Sequence, residues 1–158
     1  MKISQILLPL ILSVLSISCK NESEDIFIRE WQSKKIIIPH KAYLKINSDH
    51  TFEYRDAGCQ WRCNSFGKWK VMNDTLILNS IPSKECQFTN GFGNNFRAPI
   101  KGEDFKLETT IKDCKPNERN GEYVKFINDK FYIKNDTLEY VTNIKLPFNN
   151  RFAFFKRQ

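Results

Sequence analysis

The sequence has few of the residues on which most enzyme mechanisms depend. Its 158 residues include two histidines, His40 and His50, and two methionines, one of which is Met1. Because histidine carries most acid–base catalysis near neutral pH, this scarcity argues against such an enzyme. We place His40 between two strands and His50 in a turn, so we do not expect them to form a catalytic pair.

The chain also lacks the sequence motifs of nucleophilic, metal-dependent and phosphate-binding sites. It contains no G-x-S-x-G, no H-E-x-x-H and no glycine-rich phosphate loop. Acidic pairs such as Glu103-Asp104 fall in segments that we expect to be exposed, whereas carboxylate catalysis needs two carboxylates in one cleft. We therefore predict no cofactor and no metal, and a small hydrolase with a carboxylate-based site is kept as an alternative.

A long uncharged run occurs at the N-terminus. Lys2 precedes sixteen residues without a charge, "ISQILLPLILSVLSIS", which include Pro9. That run is shorter than the ~20 apolar residues of a membrane-spanning helix, and its anatomy is typical of an export signal. We predict a signal peptide over residues 1–18, an acidic tether over residues 19–30 and a β-domain over residues 31–158.

The end of the signal, "LSISC", resembles the lipobox of bacterial lipoproteins, in which a small residue precedes an invariant cysteine. The resemblance implies that Cys19 is lipidated and that the lipid chains anchor the protein to a membrane. The next residues, "CKNESED", resemble the export signal of Bacteroidetes lipoproteins, which implies an outer-membrane protein facing the cell surface. A plain solvated linker is the alternative interpretation of this acidic stretch.

Four cysteines remain once Cys19 is assigned to the anchor. An even set in an exported chain predicts two disulfides, and the sequence leaves the pairing open. A zinc site is the competing interpretation, but structural zinc sites usually have C-x2-C pairs, whereas this chain has one C-x3-C and two isolated cysteines. The disulfide candidates are Cys59, Cys63, Cys86 and Cys114.

Charge is unevenly distributed between the tether and the domain. Residues 19–30 have two basic and four acidic residues, a net charge of −2, and residues 31–158 have 22 basic and 14 acidic residues, a net charge of +8. The basic residues are interspersed with acidic ones, as in "KGEDFKLETTIKDCK", so we predict no nucleic-acid binding. A basic exterior of this kind attracts anionic glycans or lipid headgroups weakly.

Alternation of apolar and polar residues dominates after residue 19. The segments 43–55, 67–80 and 129–142 each predict a hairpin, the last two with the same Asn-Asp-Thr-Leu sequence at the turn. Leu44, Ile46, Phe52 and Tyr54 are predicted to face the core. Further strands are predicted at "DIFIREW", "KKIIIP", "DFKLETTIK", "GEYVKFI" and "RFAFFKR".

These eight to ten short strands predict an all-β domain, either a single antiparallel barrel or a sandwich. The order of the patterns in residues 31–80, from "LKI" through "DHTFEY" and "GKW" to "NDTLIL", resembles lipocalin-like lipoprotein domains of Bacteroidetes. That resemblance favours the barrel. The glycine–tryptophan signature of true lipocalins is missing, since Glu30 precedes Trp31, and this weakens any inference of a lipocalin ligand.

Two segments are candidates for a binding surface. The long loop at residues 82–103 carries Phe88, Phe92 and Phe96, which either present a surface to a partner or pack the loop onto the domain. Trp61 and Arg62 lie between Cys59 and Cys63, where a tryptophan either anchors a partner or packs on a disulfide.

The favoured hypothesis is a lipid-anchored, non-enzymatic binding or structural module of the bacterial cell envelope. Its candidate partners are a glycan, a protein or an apolar small molecule, and the alternatives are the hydrolase above and a carrier with an apolar cavity inside the barrel. "DTL" at Thr75 and Thr137 resembles the O-glycosylation motif of Bacteroidetes exported proteins, although the turns already account for both copies.

Overall fold

A computed structural model describes residues 22–33, 40–59, 61–93, 108–117, 121–141 and 154–157 of the chain. Within these ranges it contains one short helix, α1 (Glu22–Asp25), and eleven strands. The strands are β1 (Glu30–Ser33), β2 (His40–Ile46), β3 (Thr51–Gly58), β4 (Arg62–Met72), β5 (Thr75–Ser80), β6 (Phe88–Gly91), β7 (Glu108–Thr109), β8 (Glu122–Lys125), β9 (Ile127–Lys134), β10 (Thr137–Tyr140) and β11 (Phe154–Arg157).

Eight of these strands form a closed antiparallel barrel. Their order around the ring is β3-β2-β1-β11-β10-β9-β5-β4, and β4 pairs with β3 to close it. Every pairing in the ring is antiparallel. Closure removes the exposed edges that an open sheet must protect. The predicted all-β, lipocalin-like fold is confirmed, and the barrel is the correct alternative.

The turn residues build the hairpins in the way that the sequence predicted. Asn73 and Asp74 have φ angles of 49° and 57° between β4 and β5, and Asn135 and Asp136 have φ angles of 49° and 55° between β9 and β10. Positive φ at both central residues gives a two-residue turn whose twist matches that of the strands. Asparagine and aspartate tolerate this conformation better than other side chains.

Three further strands extend the sheet beside the barrel, and we call β6, β7 and β8 the extension. β8 pairs in parallel with β4 at Cys63 and Asn64, β6 pairs in parallel with β8, and β7 pairs antiparallel with β6. A disulfide between Cys86 and Cys114 joins the chain before β6 to the chain after β7. The extension brings the described strands above the eight to ten that we predicted.

Apolar side chains alternate towards a single core inside the barrel. Leu44, Ile46, Phe52 and Tyr54, which we predicted to face the core, are all buried. The core consists of Phe27, Trp31, Ala42, Leu44, Ile46, Phe52, Tyr54, Trp69, Leu76, Leu78, Phe92, Val124, Phe126, Phe131, Leu138 and Phe155.

Gly67 is where β4 lies closest to its neighbours. A Cβ at this position would collide with the carbonyl oxygen of Asn79 and lie 2.7 Å from both the Phe52 ring and the Cα of Ser80. The absence of a side chain therefore lets β4 and β5 pack tightly while the Phe52 ring covers the glycine.

The folded domain begins before residue 31, where we had placed its boundary. Phe27 is completely buried, and its carbonyl oxygen accepts a hydrogen bond of 3.1 Å from the Nε1 of Trp31. The guanidinium of Arg29 lies 5.5 Å from the centroid of the Trp31 ring. The last residues of the predicted tether thus pack against one end of the barrel.

Some predicted features lie outside the described residues. These are the signal segment 1–18, the lipidation residue Cys19, the "KKIIIP" strand at residues 34–39, and Phe96. Of the strand predicted within residues 104–112, Glu108 and Thr109 form β7, and residues 104–107 are not described. Among the described residues, no helix has the length and apolar character needed to cross a membrane.

Candidate functional site

The two ends of the barrel differ in the segments that they carry. One end, which we call the turn end, holds the short connections at residues 47–50, 73–74 and 135–136. The opposite end, the loop end, holds the end of β3, the start of β4 and the points where the chain leaves β5 and enters β9. The buried polar groups described next lie towards the loop end.

Phe92 fills the barrel interior at the loop end. Its side chain is 1% exposed, and its ring stacks on Phe126 with centroids 4.5 Å apart and an interplanar angle of 23°. Its ring also meets Tyr54 and Tyr140 in edge-to-face contacts at 5.8 and 5.2 Å. An aromatic residue that follows β6 of the extension therefore occupies space that the barrel strands leave open.

Each of the two tyrosines that contact Phe92 is hydrogen-bonded to an aspartate. The Tyr54 hydroxyl donates to Asp56 Oδ2 over 3.2 Å, and the Tyr140 hydroxyl donates to Asp129 Oδ1 over 2.7 Å. Burial raises the pKa of the Asp129 carboxyl, and the bond from Tyr140 opposes this rise. Burial, with a smaller contribution from Asp56, also raises the pKa of Tyr54 well above its usual value. Both tyrosines are therefore neutral donors across the physiological pH range.

Two cysteines near the loop end carry free thiols. Cys59 is exposed directly after β3, and Cys63 is partly buried on β4, opposite Asp56 of β3. Burial raises the pKa of the Cys63 thiol to about 12, and the carboxylates of Glu122 and Asp56 add to the rise. Of the two disulfides that the sequence predicted, the structure contains Cys86–Cys114. A thiol with so high a pKa is a poor nucleophile at neutral pH.

A cleft with a volume of about 230 Å³ lies between the end of β5 and the extension. Pockets for drug-sized ligands measure roughly 300–1,000 Å³, so this cleft has room for a ligand with a single ring. Its walls combine hydroxyl and aliphatic side chains. The lining residues are Ser80, Ile81, Pro82, Ser83, Thr89, Thr109, Thr110, Tyr123, Lys125, Phe126 and Ile127.

Hydroxyl groups of the cleft donate their protons to the protein backbone. Thr89 Oγ1 donates to the carbonyl oxygen of Tyr123 over 2.7 Å, and Thr109 Oγ1 donates to that of Ile111 over 2.8 Å. The Tyr123 hydroxyl lies against the carbonyl oxygens of Phe66 and Ile81. Because a hydroxyl has one proton and two lone pairs, these groups can offer a ligand acceptor sites only.

The rim of the cleft carries one ion pair and two exposed isoleucines. Lys125 Nζ lies 2.7 Å from Glu108 Oε2, and this hydrogen bond lowers the pKa of the Glu108 carboxyl. Ile81 and Ile127 are 41% and 69% exposed, so both keep apolar surface in contact with water. The cleft thus combines apolar walls, hydroxyl acceptors and a charged pair in one small volume.

A second concave surface, with a volume of about 700 Å³, lies along β1, β2 and β3. Lys41 Nζ lies 5.7 Å from the Tyr43 ring centroid, and Arg55 forms a 3.0 Å ion pair with Glu53. The Arg55 side chain is 75% exposed, and ion pairs at such positions contribute ~1 kcal/mol or less. Glu30, Lys45, Asp56 and Ala57 complete the lining, which mixes both signs of charge.

The residues that the sequence proposed for a binding surface lie in different parts of the structure. Trp61 is 38% exposed, and its ring packs where a side chain at Gly58 would lie. Arg62 is exposed and Phe88 is partly buried in β6. Our prediction that Phe92 contributes to a binding surface is wrong, because Phe92 belongs to the core and presents no surface to a partner. This outcome matches the alternative in which the loop packs onto the domain.

The cleft was not foreseen from the sequence. Its residues come from four segments that are distant in sequence, and the parallel pairing of β6 with β8 that joins two of them leaves no local pattern. The one local signal for the cleft was that Ile81 and Ile127 each stand beside polar residues. This pattern is common at the ends of strands and therefore does not indicate a binding site. Within the described ranges, no group of three or more histidine, cysteine, aspartate or glutamate side chains is arranged to bind a metal ion.

Comparison of this chain with protein-family models, with curated proteins and with solved structures finds no match.

Proposed function

We propose that this chain is a lipid-anchored, non-enzymatic binding module of the bacterial cell envelope that recognises its ligand with the outside of a filled β-barrel. The observation that carries the proposal is the aromatic packing of the interior. Phe92, Phe126 and Phe131 lie together inside the barrel, with ring centroids 4.5 to 6.5 Å apart. Close packing of this kind favours recognition on the outer surface over transport of an apolar molecule inside the barrel.

The anchor part of the proposal rests on the sequence. The uncharged run before Cys19 and the lipobox-like "LSISC" support export followed by lipidation. The acidic residues that follow support a surface-facing outer-membrane location. Two or more acyl chains on Cys19 would hold the domain stably at the membrane, whereas a single chain would bind marginally.

The anchor is tested by fractionating cells that express the full chain. Cys19→Ala is expected to move the protein from the membrane fraction to the soluble fraction. Cys59→Ala is the matched control, because it removes an exposed thiol far along the chain and is expected to leave the protein on the membrane. Membrane retention of Cys19→Ala, or release of both variants, would contradict a lipid anchor on Cys19.

The binding part is tested with the full chain in detergent micelles on arrays of immobilised envelope glycans and on purified envelope proteins. Saturable binding that survives Phe92→Leu is expected, since that substitution changes the interior and keeps it apolar. Binding that is lost in Phe92→Leu while the chain stays folded would locate recognition inside the barrel and overturn the proposal.

One observation favours the alternative of a small hydrolase. Asp56 and Asp129 lie towards the same end of the barrel, and burial raises the pKa of Asp129, as is common for catalytic acids. Each carboxylate already accepts a hydrogen bond from a tyrosine. Hydrolysis of a glycoside or ester substrate that is abolished in both Asp56→Asn and Asp129→Asn, with folding intact, would establish the hydrolase instead.

A further inference from the structure

The cleft between the end of β5 and the extension has the chemistry of a site for one neutral sugar ring, and we propose that it binds a monosaccharide unit. This inference rests on the proposed function, because it names the ligand class of a binding module. It starts from the volume of about 230 Å³, which accommodates a single ring.

The hydroxyl groups of the cleft select a ligand that donates hydrogen bonds. The protons of Thr89 and Thr109 are engaged by the carbonyl oxygens of Tyr123 and Ile111. Both threonines line the cleft, and each hydroxyl oxygen keeps lone pairs that a ligand donor can use. A ligand without donors would leave such acceptors unsatisfied when it displaces water. A ring carrying several hydroxyl groups supplies donors in several directions.

The aliphatic walls select a ligand that also has an apolar face. Ile81 and Ile127 are 41% and 69% exposed, and Pro82 lies beside Ile81 on the same wall. Covering these side chains removes apolar surface from water, which favours binding by roughly 25 cal/mol per Å². The C–H face of a sugar ring has this character while its hydroxyl groups remain at the edge.

The ion pair at the rim selects against net charge on the ligand. A cationic ligand meets the charge of Lys125, which lines the cleft, and an anionic ligand has to displace Glu108, whose Oε2 already lies 2.7 Å from Lys125 Nζ. Unfavourable charge placement of this kind is a common source of specificity. Both side chains can still exchange hydrogen bonds with hydroxyl groups. A neutral polyhydroxylated ring therefore satisfies all three features of the cleft.

The proposal is tested by titrating the ¹⁵N-labelled full chain in detergent micelles with glucose, galactose, mannose and N-acetylglucosamine. At least one of these sugars is expected to shift the amide resonances of Thr89, Thr109, Lys125 and Ile127 saturably. Glucuronic acid and glucosamine, which carry opposite charges, are expected to bind at least tenfold more weakly. Cyclohexanol is the control for purely apolar association.

Substitutions in the cleft test the apolar wall and the ion pair separately. Ile127→Ser is expected to weaken sugar binding at least fivefold, whereas Ile26→Ser, which changes an isoleucine that is 43% exposed and does not line the cleft, is expected to leave it unchanged. Glu108→Gln is expected to improve binding of glucuronic acid at least threefold relative to the neutral sugar. Glu53→Gln, in the ion pair on β3, is the matched control and should change neither.

The outcomes distinguish this inference from the proposed function. Shifts confined to residues outside the cleft, equal shifts with cyclohexanol, or equal weakening by Ile127→Ser and Ile26→Ser would overturn the sugar site. None of these results affects the anchor or outer-surface recognition, which the fractionation and array experiments decide. If the full chain binds nothing on the arrays and no sugar shifts its amide resonances, both proposals are overturned.

Discussion

The ring of Phe92 lies 4.5 Å from the ring of Phe126, centroid to centroid, and the two planes are within 23° of parallel. Phe126 belongs to the junction of β8 and β9, whereas Phe92 arrives from β6, which is outside the ring of eight strands. This contact joins the extension to the barrel core. It turns a fold that commonly encloses a ligand into one whose interior is filled by its own side chains.

Shortening the Phe92 side chain should lower the stability of the folded protein strongly. Phe92→Ala removes a ring that is 1% exposed and leaves a cavity among Tyr54, Phe126 and Tyr140. We expect the free energy of unfolding to fall by about 3–5 kcal/mol in urea denaturation. Phe66→Ala, at a ring that is 42% exposed on β4, is the control and should cost about 1 kcal/mol. Equal losses in the two variants would mean that Phe92 is not a core residue.

The turn at Asn73-Asp74 should accept glycine with a gain in stability. Asp74 has a φ of 57°, a conformation that glycine adopts without steric cost. Asp74→Gly is expected to raise the free energy of unfolding by about 0.5 kcal/mol, and Asp74→Ala to lower it. Asp49→Gly is the control from another turn and should be destabilising, because the Asp49 carboxylate accepts the 3.0 Å hydrogen bond of the Thr51 backbone N–H. Chemical denaturation of the three variants gives the comparison.

The two free thiols should differ in reactivity. Cys59 is exposed, whereas Cys63 is partly buried with a pKa of about 12. Iodoacetamide at pH 7.5 is therefore expected to alkylate Cys59 and to spare Cys63 in the folded protein, because the thiolate is the reacting species. Peptide mapping by mass spectrometry measures each site, and urea should make both react. Rapid alkylation of Cys63 under native conditions would contradict its burial.

Asp129 should give the protein a stability that falls as pH rises. Burial raises its pKa in the folded state above the unfolded value, so between the two pKa values the folded chain binds more protons than the unfolded chain. The slope of the free energy of unfolding against pH is then negative across that window. Asp129→Asn keeps the shape and removes the titration. Denaturation between pH 3.5 and 7 should show the difference, and parallel curves for the two proteins would refute the assignment.

The features that the sequence could predict are those with local physical causes. Asn73-Asp74 and Asn135-Asp136 favour positive φ whatever surrounds them, and alternation along β2 and β3 assigns Leu44 and Phe52 to one face. The hairpins and their core faces followed from these residues alone. The all-β class followed from the number and spacing of such hairpins, whereas the preference for a barrel over a sandwich rested on the resemblance to lipocalin-like domains.

The features that could not be predicted depend on pairings between distant segments. Phe92 enters the core because β6 pairs in parallel with β8, more than thirty residues later, at register pairs such as Asn90 with Val124. The choice of Cys114 as the partner of Cys86 depends on the same arrangement. Phe27 belongs to the core although acidic residues precede it, because its burial is decided by the end of the barrel and not by its neighbours in sequence.

We predict that the barrel interior takes up no ligand. The most direct test is a fluorescence titration of the full chain in detergent micelles with a dansyl-labelled fatty acid, read by energy transfer from tryptophan, with Phe92→Ala and empty micelles alongside. We expect the signals of the wild-type protein and of Phe92→Ala both to match that of empty micelles, because a cavity the size of one phenylalanine ring is too small for a fatty acid. Saturable one-to-one uptake by the wild-type protein would contradict the filled barrel and the outer-surface recognition that follows from it.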